Sequence, residues 1–460
     1  MEPDQLRRLI ATRTPLHNAN VLARTVLELI ASGEIPPGTR LPTIRDLAGE
    51  LRMSPSAVAQ AWRILADRRV VETHRRGGTI VTGPPSIPRA SRLERMLRAG
   101  AGMPVDLGNL NYDPALLPDS EPALLAAARM PKLHLLEPEL ITPELRDAVE
   151  PIWPFPAEDF LVVHGGMDGV DLALGTAVKA GDRVMVEEPS FPRLFDIVES
   201  VGATPVSIPY GEEGPDLDVL EKALADKPSA FLYQPFGHVP LGRSVTPAWL
   251  ERAASLLSGS SVTVIEVVII PFLAEGGIPS LGPRLGSQLV QIQNFIFSHG
   301  SDCRVAIVGG THHHVERMWF KITYSSRWVS RILQNALAFH LTDAVSSASV
   351  AVSAATYRRR RTDFVEALKE RGFEIGSDSG ISVWVPVPDE HSVSTRLARK
   401  GVSILPGFLF RKQPAAPDHI HVNGGTAAQA TEYFADAIAD AADFALGSRS
   451  RSHRASRQPW

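Results

Sequence analysis

The chain has 460 residues, 44% of them hydrophobic and 21% charged, with a mean hydropathy near zero. This predicts a soluble globular protein of two or three domains and excludes a disordered or membrane-embedded chain. The net charge of −4 conceals an asymmetry: residues 1–98 hold 16 Arg, no Lys and 9 acids, so the front carries +7 and the remainder −11. A basic module on an acidic body suits a front end that meets nucleic acid.

In chain order, "NVLARTVLELIASG" places Val21, Leu22, Val26, Leu29 and Ile30 on one helical face, closed by Gly33. "LPTIRDLAGEL" follows with Thr43 as N-cap and Asp46 three residues on. Ser54-Pro55 then supplies a cap and a first-turn proline for "SAVAQAWRILADRR", whose buried side is Val58, Ala61, Leu65 and Trp62. Two short β-prone runs surround Arg75-Arg76-Gly77-Gly78. Three helices and a hairpin make a winged helix-turn-helix, whose third helix offers small and amide side chains to a major groove. Gln60 suits adenine, and Ser54 and Ser56 suit base edges or phosphate. Arg45, Arg75 and Arg76, with Gly78 and Thr79 of the wing, suit the DNA backbone.

"GEIPPGTRLPTIRDLAGELRMSPSAVAQAWRILADRRVV" resembles the DNA-binding domain of the GntR regulators along its full length, with "GGTIV" as the wing. The resemblance implies a double-stranded DNA operator as partner. The family's Ser-Arg-x-Thr-Val is here Ser54-Pro55-Ser56-Ala57-Val58, so an arginine and a threonine that commonly touch DNA are replaced.

A linker at 84–104 separates this module (1–83) from a region where short apolar strands alternate with helices, from "FLVVHGG" to "VTVIEVVII". That alternation predicts an α/β fold with a mainly parallel sheet covered on both faces. A large domain at 105–345 is followed by a smaller α+β lobe at 346–446 and a Ser/Arg-rich tail at 447–460, expected to be disordered. The order resembles a fold type I aminotransferase. With the front module it resembles the MocR subfamily of GntR regulators, carried by "VVHGGMDGVDLAL", "EEPSFP", "YQPFGHVPLG", "VIEVV", "GISVWVPVP" and "GVSILPGFLF". Membership implies a homodimer whose aminotransferase-like domain senses a small-molecule effector.

The resemblance also implies a pyridoxal phosphate pocket, and here the chain departs from the pattern. The family's Ser-x-Ser-Lys-Thr, followed by a phosphate-binding arginine, maps to the loop at 297–304. Read from Ser298, the lysine position is His299, the loop is about two residues short, and Arg304 is the arginine. Imidazole forms no stable imine with the cofactor aldehyde, so covalent pyridoxal phosphate is not expected. The asparagine that bonds the pyridine oxygen is Val239, beside His238. The acid for the pyridinium nitrogen is Val267, the accompanying tyrosine is Ile269, and the carboxylate-clamping arginine is His421. Gly166 and Met167 at a helix N-terminus, Phe191 in the stacking position, Ser298 and Arg304 remain as a seat for another effector.

Cys303, the single cysteine, rules out an internal disulfide framework. "VTVIEVVIIPFLA" is too short and too interrupted to span a bilayer, and "MEPDQLRRLIATRTPL" lacks a signal-peptide core. A cytoplasmic protein with no membrane partner is expected. Three adjacent histidines in "THHHVE" cannot converge on one ion from a regular helix, so no metal site is expected. "YRRRR" at 357–361 is expected as a solvated or dimer-facing run. The composite reading is a transcriptional regulator and not an enzyme. The rivals are an aminotransferase-like catalyst using another cofactor or His299 as base, and a constitutive DNA-binding protein with a purely structural large domain.

Overall fold

The computed structural model describes residues 3–14, 18–67, 70–74, 78–82, 90–412, 417–426 and 430–455. It divides into two compact units, Met1–Arg89 and Ala90–Trp460. In the first, the helices are α1 (Pro3–Arg13), α2 (Ala19–Ala31), α3 (Ile44–Leu51) and α4 (Pro55–Asp67). The hairpin pairs β1 (Val71–His74) with β2 (Gly78–Val81), antiparallel. α1 is an addition to the expected elements. Its Leu6 and Ile10 fall one turn apart and are buried in the same core as Leu22, Leu47, Val58, Ala61, Trp62 and Leu65. The Thr43 hydroxyl oxygen accepts Asp46 N–H at 3.2 Å and Ser54 Oγ accepts Ala57 N–H at 3.2 Å, so both expected N-caps are in place.

The second unit opens with α5 (Ser91–Gly100) and the short β3 (Val105–Asp106), then α6 (Ser120–Ala128), α7 (Pro143–Val149) and β4 (Asp159–Val163). Next come α8 (Gly166–Ala177), β5 (Arg183–Glu188), α9 (Pro192–Ser200), β6 (Thr204–Pro209), α10 (Leu217–Leu224), β7 (Ala230–Tyr233), α11 (Pro247–Leu257) and β8 (Thr263–Val268). They are followed by α12 (Gly282–Leu285), β9 (Leu289–Asn294), α13 (Ile296–His299), β10 (Ala306–Gly310), α14 (His312–Thr323) and α15 (Arg331–Thr342). The sheet order is β4-β10-β9-β8-β7-β5-β6; β10 is antiparallel to both neighbours and the other pairs are parallel. Apolar side chains alternate to both faces of this sheet. Ile265 and Val267 of β8 join one core and Val264 joins the other, as a sheet covered by helices on both sides requires.

The C-terminal lobe comprises α16 (Ala344–Glu370), β11 (Ser382–Val387), α17 (Glu390–Arg399), β12 (Val402–Ser403), β13 (Leu405–Pro406), β14 (Asp418–Asn423) and α18 (Thr431–Ala455). Its sheet runs β11-β14-β13, and β12 pairs with β3. Two expectations need correction. The tail does not lose structure at 447: α18 runs on to Ala455, because no proline interrupts it and each further residue adds a hydrogen bond to a formed helix. Residues 456–460 lie outside those described. Nor is 357–361 a solvated run. α16 turns Tyr357, Arg361 and Phe364 into the interior, while Arg358 pairs with Glu275 at 2.6 Å and Arg360 with Asp113 at 3.0 Å; Arg359 is exposed.

Candidate functional site

On the DNA-binding unit, Ser56, Gln60 and Arg63 are exposed one turn apart on α4, and Arg45 is exposed on α3. This is the polar stripe that a recognition helix needs. Ser54 is occupied as a cap and also meets Ser56 Oγ at 2.9 Å. Thr79 is not on the contact surface: it is buried, its hydroxyl 3.1 Å from that of Thr73 across the hairpin. Gly78 takes φ +78°, and a Cβ there would meet the Arg40 guanidinium at 2.7 Å, so the wing turn requires glycine. Arg75 and Arg76 lie outside the described residues.

In the second unit the expected pocket residues separate into three groups. Gly166, Met167, Phe191, Ile269 and Arg304 line one cavity of about 820 Å³. It lies at the C-terminal ends of parallel strands, where α/β sheets open crevices for ligands. The N-terminus of α8 presses on the end of β9, so that a Cβ on Gly166 would stand 3.2 Å from Asn294 Cβ. Gly165, at φ +96°, makes the turn before it. Asn294, Asn109, Asn111, Tyr112 and Arg193 bring polar atoms to the walls, and Ile296 and Phe297 bring apolar ones.

Ser298 and His299 do not reach this cavity. They line a second one, of about 580 Å³, with Phe272, Phe295 and His340. Ser298 Oγ lies 2.8 Å from His299 Nδ1, and burial followed by His340 pushes the His299 pKa down to about 3. From this turn Ile296 and Phe297 line the first cavity. Placing the lysine position at Phe297 would change the register of the loop. Asn294-Phe295-Ile296-Phe297 then spans Ser-x-Ser-Lys, and the two-residue deficit before Arg304 disappears. Read from Ser298 the lysine position is His299, and counted back from Arg304 it is Phe297.

The third group is buried scaffold. Val239 packs in the core, its N–H bonded to Gln234 Oε1 and its carbonyl accepting from Gln234 Nε2, both at 3.1 Å. His238 Nε2 lies 3.1 Å from Glu187 Oε1, both side chains fully buried. Val267 is also core. His421 Nδ1 donates to the Gly108 carbonyl at 2.9 Å, so its Nε2 accepts from Ser382 Oγ at 3.1 Å. Burial brings its pKa down to about 4, leaving a neutral ring unsuited to clamping a carboxylate.

Sequence reading overlooked α5 as a wall of the first cavity. Leu93, Met96, Leu97, Gly100 and Ala101 face into it. The helix is clipped to α9: Asp196 accepts Arg92 N–H at 3.1 Å, Leu93 N–H at 3.0 Å and Arg92 Nη1 at 3.0 Å, and Glu199 takes Arg92 at 2.9 Å. An acid on the first amides of a helix is a cap supplied from another element.

Elsewhere, the three adjacent histidines open α14 as expected and diverge: His312 Nδ1 meets Asp159 Oδ2 at 2.6 Å, while the His313 and His314 rings stand 5.7 Å apart. Among the described residues no helix is long and apolar enough to cross a membrane.

Residues 18–81 match the model of bacterial regulatory proteins of the gntR family. Residues 104–265 and 302–438, more than half of the chain, match that of aminotransferase class I and II. The match is interrupted at 266–301, the span that holds Val267, Ile269, Phe297 and His299. The vitamin B6 salvage pathway transcriptional repressor PtsJ of Salmonella typhimurium is 28% identical, over 87% of this chain and 92% of its own. The HTH-type pyridoxine biosynthesis transcriptional regulator PdxR of Corynebacterium glutamicum is 28% identical over 51% of this chain and 54% of its own. Among solved structures, the multiple substrate aminotransferase of Thermococcus profundus superposes with a TM-score of 0.71, at 17% identity, over 78% of this chain and 96% of that one. The chain therefore belongs to the aminotransferase class I and II family, and with a GntR helix-turn-helix ahead of that domain it has the architecture of the MocR-type regulators.

Proposed function

We propose that the chain is a cytoplasmic, DNA-binding transcriptional regulator whose aminotransferase-like unit pairs with a second copy and senses a small molecule not held as a Schiff base. The observation that carries the second part is that the loop at 294–304 holds no lysine: Phe297 lines the cavity with Arg304, and His299 lines the other. The residues around it do not fit a covalently held pyridoxal phosphate. Val267 offers no partner to a pyridinium nitrogen, Val239 is bound into the core, and His421 is spent on Gly108 and Ser382. The anion seat is better kept, with the α8 N-terminus and Arg304 on one cavity. A cavity of about 820 Å³ also favours a ligand over a merely structural large unit.

Regulation by such a ligand requires unequal affinity for two arrangements of the protein. Paired DNA-binding heads would read two half-sites at a fixed spacing. An enzyme using His299 as base finds no support, since His299 faces the other cavity and, with its pKa pushed down to about 3, is a weak base. Native mass spectrometry of the freshly purified protein, with any released compound identified, tests the reading. A dimer that carries a non-covalent compound which shifts operator affinity is the expected result. Pyridoxal phosphate attached to a lysine would overturn it.

A further inference from the structure

Arg193 stands in the first turn of α9 and lines the same cavity as Arg304. Arg304 is the cation that the family pattern supplies; Arg193 has no counterpart in that pattern as set out above. Among the described residues neither guanidinium has a hydrogen bond or an ion pair within 4 Å. The acid one turn along α9, Asp196, is already taken by Arg92 and two amides of α5. Burial and then Arg304 lower the pKa of Arg193, and Asp196 raises it. Three acids stand on the remaining walls. Asp106 accepts from Gly108 and Asn109 amides, Asp168 from His164 N–H, and Asp171 is on α8.

Arg193 is half-buried and Arg304 exposed, and two cations lining one cavity attract an anion that can lie between them. One negative charge satisfies one guanidinium, whereas two satisfy both, and guanidinium forks bind phosphate and carboxylate oxygens in pairs. We propose that Arg193 and Arg304 form a two-cation clamp for a ligand head group bearing two negative charges, a phosphomonoester or a pair of carboxylates. The apolar body of that ligand then lies against Phe191, Phe297 and Ile269, which line the same cavity. This rests on the sensor reading and adds to it the chemistry of the ligand and Arg193 as its specificity residue.

The test is calorimetric titration of the full-length protein at pH 8, above the second ionisation of a phosphomonoester. The probes are methyl phosphate, dimethyl phosphate, succinate and acetate. The wild-type protein should bind a dianion about tenfold more tightly than its monoanionic partner, the worth of one charge-assisted contact. Arg193→Gln should bring that ratio close to one while dimethyl phosphate still binds through Arg304, and Arg193→Lys should keep part of it. Preference for methyl phosphate over succinate identifies a phosphomonoester, and the reverse a dicarboxylate. A ratio near one in the wild type, or one that survives Arg193→Gln, overturns the clamp and leaves the anion seat standing. Binding of none of the four overturns clamp and seat together. The sensor reading fails separately, when operator affinity responds to no compound that copurifies with the protein.

Discussion

The two faces of β8 carry opposite chemistry. On one face Glu266 is fully buried and fully satisfied: Tyr233 OH at 2.5 Å and Leu281 N–H at 2.7 Å reach Oε1, while Ser280 Oγ at 2.6 Å and Gln291 Nε2 at 2.7 Å reach Oε2. On the other, Val267, and Ile269 just beyond the strand, present only hydrocarbon, where the resemblance to the family implies an acid and a tyrosine. A buried carboxylate that organises four donors cannot be lost without leaving all four unpaired. A carboxylate that exists to meet a cofactor can be lost as soon as the cofactor is not needed. The difference separates a polar group that holds the fold from positions that the fold leaves free to be apolar.

The sharpest way to break that comparison is to restore the ligand side. Phe297→Lys should form an imine with added pyridoxal phosphate, trapped by borohydride as a mass increase on an intact-protein spectrum. His299→Lys should gain no such adduct, because its side chain faces the 580 Å³ cavity beside His340. The reverse pattern would return the lysine position to 299. This is an all-or-none readout.

The scaffold side is tested by Glu266→Ala, which strands Tyr233, Ser280, Gln291 and the Leu281 amide. Urea unfolding should report a loss of about 3–5 kcal/mol, the usual cost of removing one partner from a buried charged network. A loss below about 1 kcal/mol would mean that the four donors find other partners without Glu266.

How far these distinctions were legible in the sequence depended on what carried the signal. The winged helix could be read almost residue by residue, since its caps and apolar spacing are local: Thr43 and Ser54 cap where expected, and Leu47, Val58 and Leu65 are buried. The parallel sheet was equally legible from strand–helix alternation. What failed was long-range or one-residue register. Nothing local shows that α5 is capped by an acid about a hundred positions later, or that Arg361 turns inward to the Ser377 carbonyl. A short helical turn, α13, rotates successive side chains by about 100°. Phe297 and Ser298, adjacent in the chain, therefore serve different cavities.

Histidines at 299 and 421 give the next test, smaller in size. Both are buried with pKa values pushed down, to about 3 and about 4, from an unfolded value near 6.5. For a depressed base the folded state holds the neutral form, so the stability is present above the unfolded pKa and lost as pH falls through the range below it. At pH 5 each should remove about 2 kcal/mol relative to pH 7. Glu266 works the other way: its pKa is raised by burial, which favours the folded state as pH falls. His421→Gln, which keeps a donor and an acceptor near Gly108 and Ser382, isolates one imidazole. It should lessen the decline in unfolding free energy between pH 7 and pH 5 by about 2 kcal/mol, the share of that one ring. An unchanged slope would mean that His421 is reached by water in the folded protein.

The smallest expected effect concerns α5, where scaffold and ligand sides meet. Arg92 is largely shielded and its two acids lie on α9, yet Asp196 also holds α5 through two backbone amides that no side-chain substitution removes. Arg92→Ala should therefore cost global stability only about 1 kcal/mol or less. Local opening is a different matter, because the same clip presses Leu93, Met96 and Leu97 onto the cavity wall. Hydrogen exchange in α5 should quicken by about fivefold, the equivalent of that 1 kcal/mol applied to one helix instead of the whole domain. Exchange that quickens equally in α9 and β5 would show global loosening. Acceleration confined to α5 would mark it as the wall that can yield, and a ligand in the cavity should then slow that exchange again by binding the closed wall better than the open one.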